Sequence, residues 1–467
     1  MKTRYLLLMA LIAALGHAQK DLPKDLPAYG KQPAVQPPTV TESKLPNGLT
    51  VWLAPQKGLP LVALRAVVLC GLACDPHDRP GISELLAGTL SQGTKSRTAK
   101  EIAEQIQAAG GDLQINADRD AIRIATSVLA SRMESAADVI SDVLRNASFP
   151  ASEVAIAKRN LSDSLRLREA QPQFQANRAL ARALFGAGPY SVIAPTQESL
   201  AQMAVEDLQR EFGRRFRPDQ ALIVAAGDFD VAQMMAILKE KLGTWQAGGG
   251  QPPAADANAT GAPRHEVVFV ARPNSVQTTL VLAAPGPLLR DPDYEAAGVA
   301  NAIYGGSFTS RLVVNIREDK GYTYSPGSVF QVLRQAGIFR TQADVRNAVT
   351  GASLNEMMYE LNRMVTTSPT DEELERGRRY LLGNEATSLQ SRESVTGELS
   401  RLWVNGLGSQ GLADYIRRVE ATSLQDVDSV ARKYFPASRM TIVAVGDETT
   451  IRQGLQPFGI ALRPAAP

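Results

Sequence analysis

Several stretches of the chain carry apolar residues at strand length and strand spacing: Leu61 to Leu69, Ala121 to Val128, Glu266 to Ala271 and Thr278 to Ala283. Each is rich in branched residues and bounded by polar or turn residues, which predicts strands. From Ser328 onward a hairpin is expected through Ala336-Gly337. Between the strands the spacing changes to that of a helix. Ile102 pairs with Ile106, and Ile140 with Val143 and Leu144, behind the capping boxes Thr98-Ala99-Lys100-Glu101 and Ser131-Arg132-Met133-Glu134. In such a box the side chains satisfy amides that the first helical turn leaves open. The result is an α+β reading, with helices packed against a mixed sheet.

The pattern occurs twice. Phe216 to Asp228 reads as a turn, an apolar strand and a Gly-Asp stop, and Tyr434 to Asp447 repeats it. Pro150 followed by Ala151-Ser152-Glu153 is answered by Pro369 followed by Thr370-Asp371-Glu372, each a helix start after a proline. The offsets Pro150 to Pro369, Pro218 to Pro436 and Gly227 to Gly446 are 219, 218 and 219 residues. Such constancy predicts an internal duplication. Two homologous domains are expected at 46–245 and 265–462, joined by a Gly- and Pro-rich linker at 246–264 and preceded by an extended leader at 19–45.

Composition narrows the function. A net charge of +2 with 21% charged residues gives no electrostatic case for nucleic acid or an anionic membrane surface. Lys2 and Arg4 precede the apolar run Tyr5 to Leu15, and Gly16-His17-Ala18 follows with small residues at the positions a signal peptidase reads. Residues 1–18 are therefore expected to be a secretory signal peptide, and the mature protein to be exported and periplasmic. No later run approaches the roughly 20 apolar residues of a membrane span. Cys70 and Cys74 are the two cysteines, and their pairing is left open by spacing alone. With His77 they would make three metal ligands in one short stretch, but that spacing matches no usual zinc site. Only His77 and His265 remain after signal removal, in different halves, and neither a G-x-S-x-G elbow nor a phosphate loop is present.

Two segments carry a resemblance. The run Tyr304-Gly305-Gly306-Ser307-Phe308-Thr309-Ser310-Arg311, continuing through Arg317-Glu318-Asp319-Lys320-Gly321-Tyr322-Thr323-Tyr324, resembles the second-half signature of the insulinase and pitrilysin family, which includes mitochondrial processing peptidase. Gly81-Ile82-Ser83-Glu84-Leu85-Leu86-Ala87-Gly88-Thr89 through Thr94 resembles that family's zinc helix without gaps. Active members carry H-x-x-E-H there. This chain puts Glu84 at the first His, Ala87 at the catalytic Glu and Gly88 at the second His, and the later Glu ligand falls at Ser164. Zinc chemistry needs two imidazoles one turn apart and a carboxylate to take a proton from water. Ala87 and Gly88 supply neither.

The resemblance implies two homologous domains forming half of a clamshell, and a chain of the non-zinc type. Arg317 and Tyr324 stand at the seven-residue spacing with which such subunits contribute an Arg and a Tyr to a partner's zinc site, where both are donors for a substrate carbonyl or oxyanion. Gly305 and Gly306 are expected at the substrate entry, and Ser310 and Arg311 to be structural. The expected partner is a homologous subunit bearing H-x-x-E-H and the zinc, with peptides as substrates. The bland alternative has Arg317 ending a helix on solvent and Tyr324 packed in a core. A functional alternative is a scaffold or binding protein on the same fold.

Overall fold

The computed structural model describes residues 34–248, 251, 267–458 and 462–465. The expected signal peptide, His265, most of the leader and most of the linker lie outside the described residues. Among the described residues twelve strands form two six-stranded sheets. The first contains β1 (Thr41–Lys44), β2 (Thr50–Pro55), β3 (Leu61–Leu69), β4 (Gln114–Ala117), β5 (Ala121–Leu129) and β6 (Ala221–Gly227). The second contains β7 (Val267–Ala271), β8 (Gln277–Gly286), β9 (Gly327–Val332), β10 (Gly337–Arg346), β11 (Thr441–Gly446) and β12 (Leu462–Pro464).

Their orders, β1-β2-β6-β3-β5-β4 and β12-β7-β11-β8-β10-β9, correspond strand for strand apart from the first position. In both, one parallel pair (β2 with β6, β7 with β11) adjoins an antiparallel meander (β6-β3-β5-β4, β11-β8-β10-β9). The outermost strand differs: β1 comes from the residues before the first sheet and runs antiparallel, whereas β12 comes from the chain's far end and runs parallel. The last residues of the expected leader are thus part of a sheet. The expected hairpin is β9 and β10, joined across Leu333 to Ala336.

Sequence order does not decide which helix covers which sheet. The helix Pro172–Phe185, from the first half, lies on β7, β8 and β11 of the second sheet. Its Ala176, Ala179, Leu180, Leu184 and Phe185 share one core cluster with Val268, Val281, Ala283, Ile338, Val443 and Val445. Reciprocally, the helix Arg392–Val404 lies on β3 and β6 of the first sheet. There Arg65 Nε donates to Thr396 Oγ1 at 3.3 Å and Arg392 Nη2 donates to the Leu59 carbonyl at 3.3 Å. The exchange explains β6 (ALIVAAG) and β11 (TIVAVG), every residue of which is buried. A strand covered on both faces reads as a continuous apolar run rather than an alternation. Gly227 ends β6 at φ 136°, and a Cβ there would meet the Leu61 carbonyl oxygen at 2.1 Å. No other residue fits that stop.

The capping box at Thr98 is present, with both reciprocal hydrogen bonds. The one expected at Ser131 is not. β5 ends at Leu129, the tight turn Ala130–Arg132 absorbs Ser131, and the helix Met133–Asn146 starts from Arg132 with no side-chain cap. The Ala130 amide is already committed to the Pro60 carbonyl at 2.9 Å, so the chain turns before it can cap. Thr370 with Glu373 forms a full box on the helix Asp371–Ser388.

One buried charge network sets the start of the helix Ile82–Thr89. Arg215 is fully buried and donates to Glu211 Oε2 at 2.9 Å, Ser83 Oγ at 2.6 Å and Asp75 Oδ1 at 3.0 Å. Asp75 in turn accepts from the Gly81 amide at 2.8 Å, just ahead of the helix. Burial pushes the Asp75 carboxyl up, and the Arg215 charge beside it acts against that shift. Arg215 also donates to the carbonyls of Cys70 and Gly71 at 3.3 and 3.2 Å. Cys70 and Cys74 are disulfide-bonded with Cα atoms 5.4 Å apart, which closes the pairing left open above and removes both thiols from any metal site with His77.

Two predictions follow from these charges. Arg215→Met leaves Asp75 and Glu211 buried without their cation and is expected to cost about 3–5 kcal/mol in urea unfolding; a loss under about 1 kcal/mol would refute the network's structural role. Separately, Glu385 has a buried Oε1 without a hydrogen-bond partner, and burial, with the Glu398 charge beside it, pushes its carboxyl up to about 7. A raised carboxyl favours the fold while protonated, so its contribution is full below about pH 4.5 and disappears as pH rises through about 7. Glu385→Gln should therefore raise the thermal midpoint above pH 7 and leave it unchanged below pH 4.5. An equal shift at both pH values would show that titration is not the cause.

Candidate functional site

The segment from Ala302 to Tyr324 departs twice from regular helix. The helix Tyr294–Asn301 runs on into a π turn at Ala302–Gly306, and a second π turn at Val314–Asp319 follows the short helix Arg311–Val313. In the second, the Lys320 amide reaches five residues back to the Asn315 carbonyl at 3.2 Å. One extra residue per turn re-aims the side chains beyond it, and such turns recur at functional sites. Beyond Gly321, at φ 60°, Thr323 Oγ1 donates to the Asp344 carbonyl at 2.6 Å and so fastens the segment to β10.

These constraints bring Arg317 and Tyr324 together. The Arg317 guanidinium carbon lies 4.9 Å from the Tyr324 ring centroid and 4.4 Å from that of Phe308, so the cation is sandwiched between two rings. Tyr324 is 80% exposed and Phe308 63% exposed. Tyr324 therefore does not pack in a core, and the bland alternative fails for it. Arg317 also meets Glu318 at 3.1 Å. A cation held between two rings loses little freedom when it binds a further acceptor, and the Tyr324 hydroxyl remains free to face a ligand. Phe308 was not singled out in the sequence; its position nine residues before Arg317, across a π turn, hides the contact.

The neighbouring polar residues are structural. Arg311 grips Glu373 with both nitrogens, Nε to Oε1 at 2.7 Å and Nη2 to Oε2 at 2.8 Å. That pairing is the largest reason the Glu373 carboxyl is held down at about 2. Asn315 Nδ2 donates to Glu356 at 3.1 Å and Glu360 at 2.8 Å. Gly305 is buried, and a Cβ there would meet Ser328 Oγ at 2.7 Å; at Gly306 it would meet Asn301 Nδ2 at 2.3 Å. Gly305 lets the π turn pack close against β9, and Gly306 makes room for the Asn301 side chain of the preceding helix.

In the first half, Glu84 on the helix Ile82–Thr89 accepts from Arg168 Nη1 at 2.6 Å and Nη2 at 3.1 Å. Ala87 is buried, Gly88 faces open space, and Ser164 is exposed on the helix Ala151–Glu169. Arg168, one turn beyond Ser164, was not singled out either. Its guanidinium occupies the one carboxylate left at the zinc-helix positions. These residues do not fit a zinc ion: two of the four positions have no donor atom, a third is a lone hydroxyl, and the fourth is committed to a cation. Among the described residues no cluster of three or more His, Cys, Asp and Glu could hold a metal. No described helix is long and apolar enough to cross a membrane.

Comparison with known proteins agrees with the fold. Residues 52–193 match the family Insulinase (Peptidase family M16), and residues 202–381 match the Peptidase M16 inactive domain. The chain belongs to the insulinase family, M16. Among its relatives, an uncharacterized zinc protease of Mycobacterium leprae is 23% identical over 84% of this chain and 89% of its own length. The uncharacterized zinc protease YmxG of Bacillus subtilis is 25% identical over 83% and 94%. The crystal structure of a peptidase M16 inactive domain from Pseudomonas fluorescens superposes with a TM-score of 0.82 at 23% identity, covering 92% of this chain and all of that one. A chain of complex III2 from Candida albicans superposes at 0.75 with 18% identity, covering 89% and 100%.

Structural and exposed arginines should separate in one experiment. Arg311→Ala is expected to cost about 3 kcal/mol of stability at pH 7, and Arg317→Ala less than about 1 kcal/mol. Because the Glu373 carboxyl is depressed, the Arg311 contribution is complete above about pH 4.5 and fades as pH falls through about 2. Chemical unfolding of both variants at pH 7 checks this, and equal losses would contradict it.

Proposed function

We propose that this chain is the metal-free subunit of an exported heterodimeric zinc metallopeptidase, in which Arg317 and Tyr324 complete the active site of a homologous partner bearing H-x-x-E-H and zinc. The observation that carries the reading is that Arg317 and Tyr324 stack together on the surface while the chain's own zinc-helix positions hold Ala87, Gly88 and a Glu84–Arg168 pair. A chain that hydrolysed peptides alone would need those positions filled. A chain that lends donors to another needs only to keep the donors presented.

In this role the Tyr324 hydroxyl and the Arg317 guanidinium hold the substrate carbonyl and the charge that develops on its oxygen. Phe308 keeps Arg317 in place. Gly305 and Gly306, packed against Ser328 of β9 and against Asn301, shape the π turn beside the path by which the peptide enters. The Cys70–Cys74 disulfide supports export, since such bonds persist in oxidising compartments. Peptide substrates and a periplasmic location complete the reading.

The test is to purify this chain, a co-encoded homologue with H-x-x-E-H, and their mixture, and to assay cleavage of a peptide library. The mixture should cleave and neither chain alone should. Within an assembled pair, Arg317→Ala or Tyr324→Phe should lower kcat by about a hundredfold. Undiminished cleavage by both variants would remove the pair from the mechanism, and an assembled pair that cleaves nothing would favour the scaffold reading.

A further inference from the structure

A cavity of about 550 Å³ lies on the seam between the two sheets, with neither Arg317 nor Tyr324 in its lining. Its walls come from both halves: the β4–β5 turn and the helix Pro172–Phe185 on one side, β9, β10 and the helix Arg392–Val404 on the other. The charges around it do not cancel. Among the carboxylates, Glu84 is held by Arg168, Asp118 pairs with Arg123, and Asp120 accepts from the Tyr190 hydroxyl at 2.7 Å and the Arg334 amide at 2.9 Å. Arg401 pairs with Glu398 at 2.7 Å. What remains is Arg119 from the first half and Arg340 from the second, two guanidinium groups against the one carboxylate of Asp120, whose donors are neutral and whose charge acts on Arg119.

Arg119 Nη1 and Arg340 Nε are both buried without a hydrogen-bond partner. Arg340 Nη2 donates to Gln342, a neutral acceptor. Burial lowers the pKa of both guanidinium groups, and the Arg119 charge lowers that of Arg340 further. Two guanidinium groups thus face one unpaired carboxylate, and the surplus positive charge and two idle buried N–H groups favour a further anion between them. The rest of the wall includes Leu180, Leu184, Leu333 and Ile338. Guanidinium donors on an apolar wall suit a carboxylate carried on an organic chain better than a small hydrated anion.

We propose that the seam cavity is a binding site for a peptide carboxylate, taken between Arg119 and Arg340. The site belongs to this chain alone and does not rest on a partner or on the peptidase reading. By spanning the seam it also couples ligand occupancy to the fit of the two halves.

Calorimetric titration of the intact mature chain tests this, with a capped apolar hexapeptide carrying two Glu side chains as the probe. The peptide should bind with an affinity that falls as salt rises. Its Gln counterpart, and the Glu peptide against Arg119→Gln or Arg340→Gln, should each bind at least about tenfold more weakly. Without peptide, Arg340→Gln should unfold at or above the wild-type midpoint, because it removes the surplus buried charge. A lower midpoint in Arg340→Gln would make that arginine structural and overturn the proposal, as would unchanged peptide affinity in the double variant. Inorganic phosphate binding as tightly as the Glu peptide would overturn the assignment to a peptide carboxylate. Arg317→Ala should leave binding unchanged, and a loss there would place the peptide elsewhere.

Discussion

The exchange of two helices between two sheets is the constraint on which the rest of this molecule depends. Each central strand, β6 and β11, is buried on both faces only because the other half supplies the cover. Removing Leu180, Leu184 and Phe185 from the second sheet would forgo about 1.5–3 kcal/mol for each of these large side chains. Neither half has a finished core by itself, and Gln36 to Pro467 accordingly cluster as one unit. The seam this creates is polar at one edge, where Tyr190, Asp120 and the backbone of Arg334 and Gln335 lock the β4–β5 turn to the β9–β10 hairpin.

That construction separates rigid parts from presented ones. The Arg215 network and the Cys70–Cys74 loop fix the start of the helix Ile82–Thr89, yet that helix carries Ala87 and Gly88 where the family's chemistry resides. The Glu84–Arg168 pair shows how such a helix is stabilised without metal: a guanidinium supplies the positive charge the carboxylate would otherwise lack. In the second half the same kind of scaffolding, Arg311 on Glu373 and Asn315 on Glu356 and Glu360, supports a segment whose outward residues stay exposed. The first half thus fills its helix positions and the second presents a ring-and-guanidinium pair, and the proposed division of labour between chains rests on that contrast.

Much of this was legible in the sequence. The constant offsets between Pro150, Pro218 and Gly227 and their counterparts announced a duplication, and two sheets with matching strand order display it. The α+β class and the Thr98 capping box were equally readable, because period and cap are local signals. The helix exchange was not readable, since an amphipathic helix records that one face is buried and not by which sheet. Ser131 misled because its spacing satisfies a capping box while β5 and the Ala130 amide dictate a turn. At the candidate site, the spacing of Arg317 and Tyr324 was visible, but their contact with Phe308 depends on two π turns that no periodicity predicts. Arg168 meets Glu84 across 84 residues of the first half, and Arg119 and Arg340 reach one cavity from different halves, so neither meeting leaves a periodic signal.

In the proposed complex the cluster of Phe308, Arg317 and Tyr324 faces the catalytic helix of another chain. A photoreactive benzoylphenylalanine placed at Phe308 tests it most directly, in the pair assembled with a homologue bearing H-x-x-E-H. The account predicts crosslinks to bound peptide and to residues flanking that partner's zinc helix, mapped by mass spectrometry. Crosslinks confined to this chain, or to a partner surface away from that helix, would contradict it.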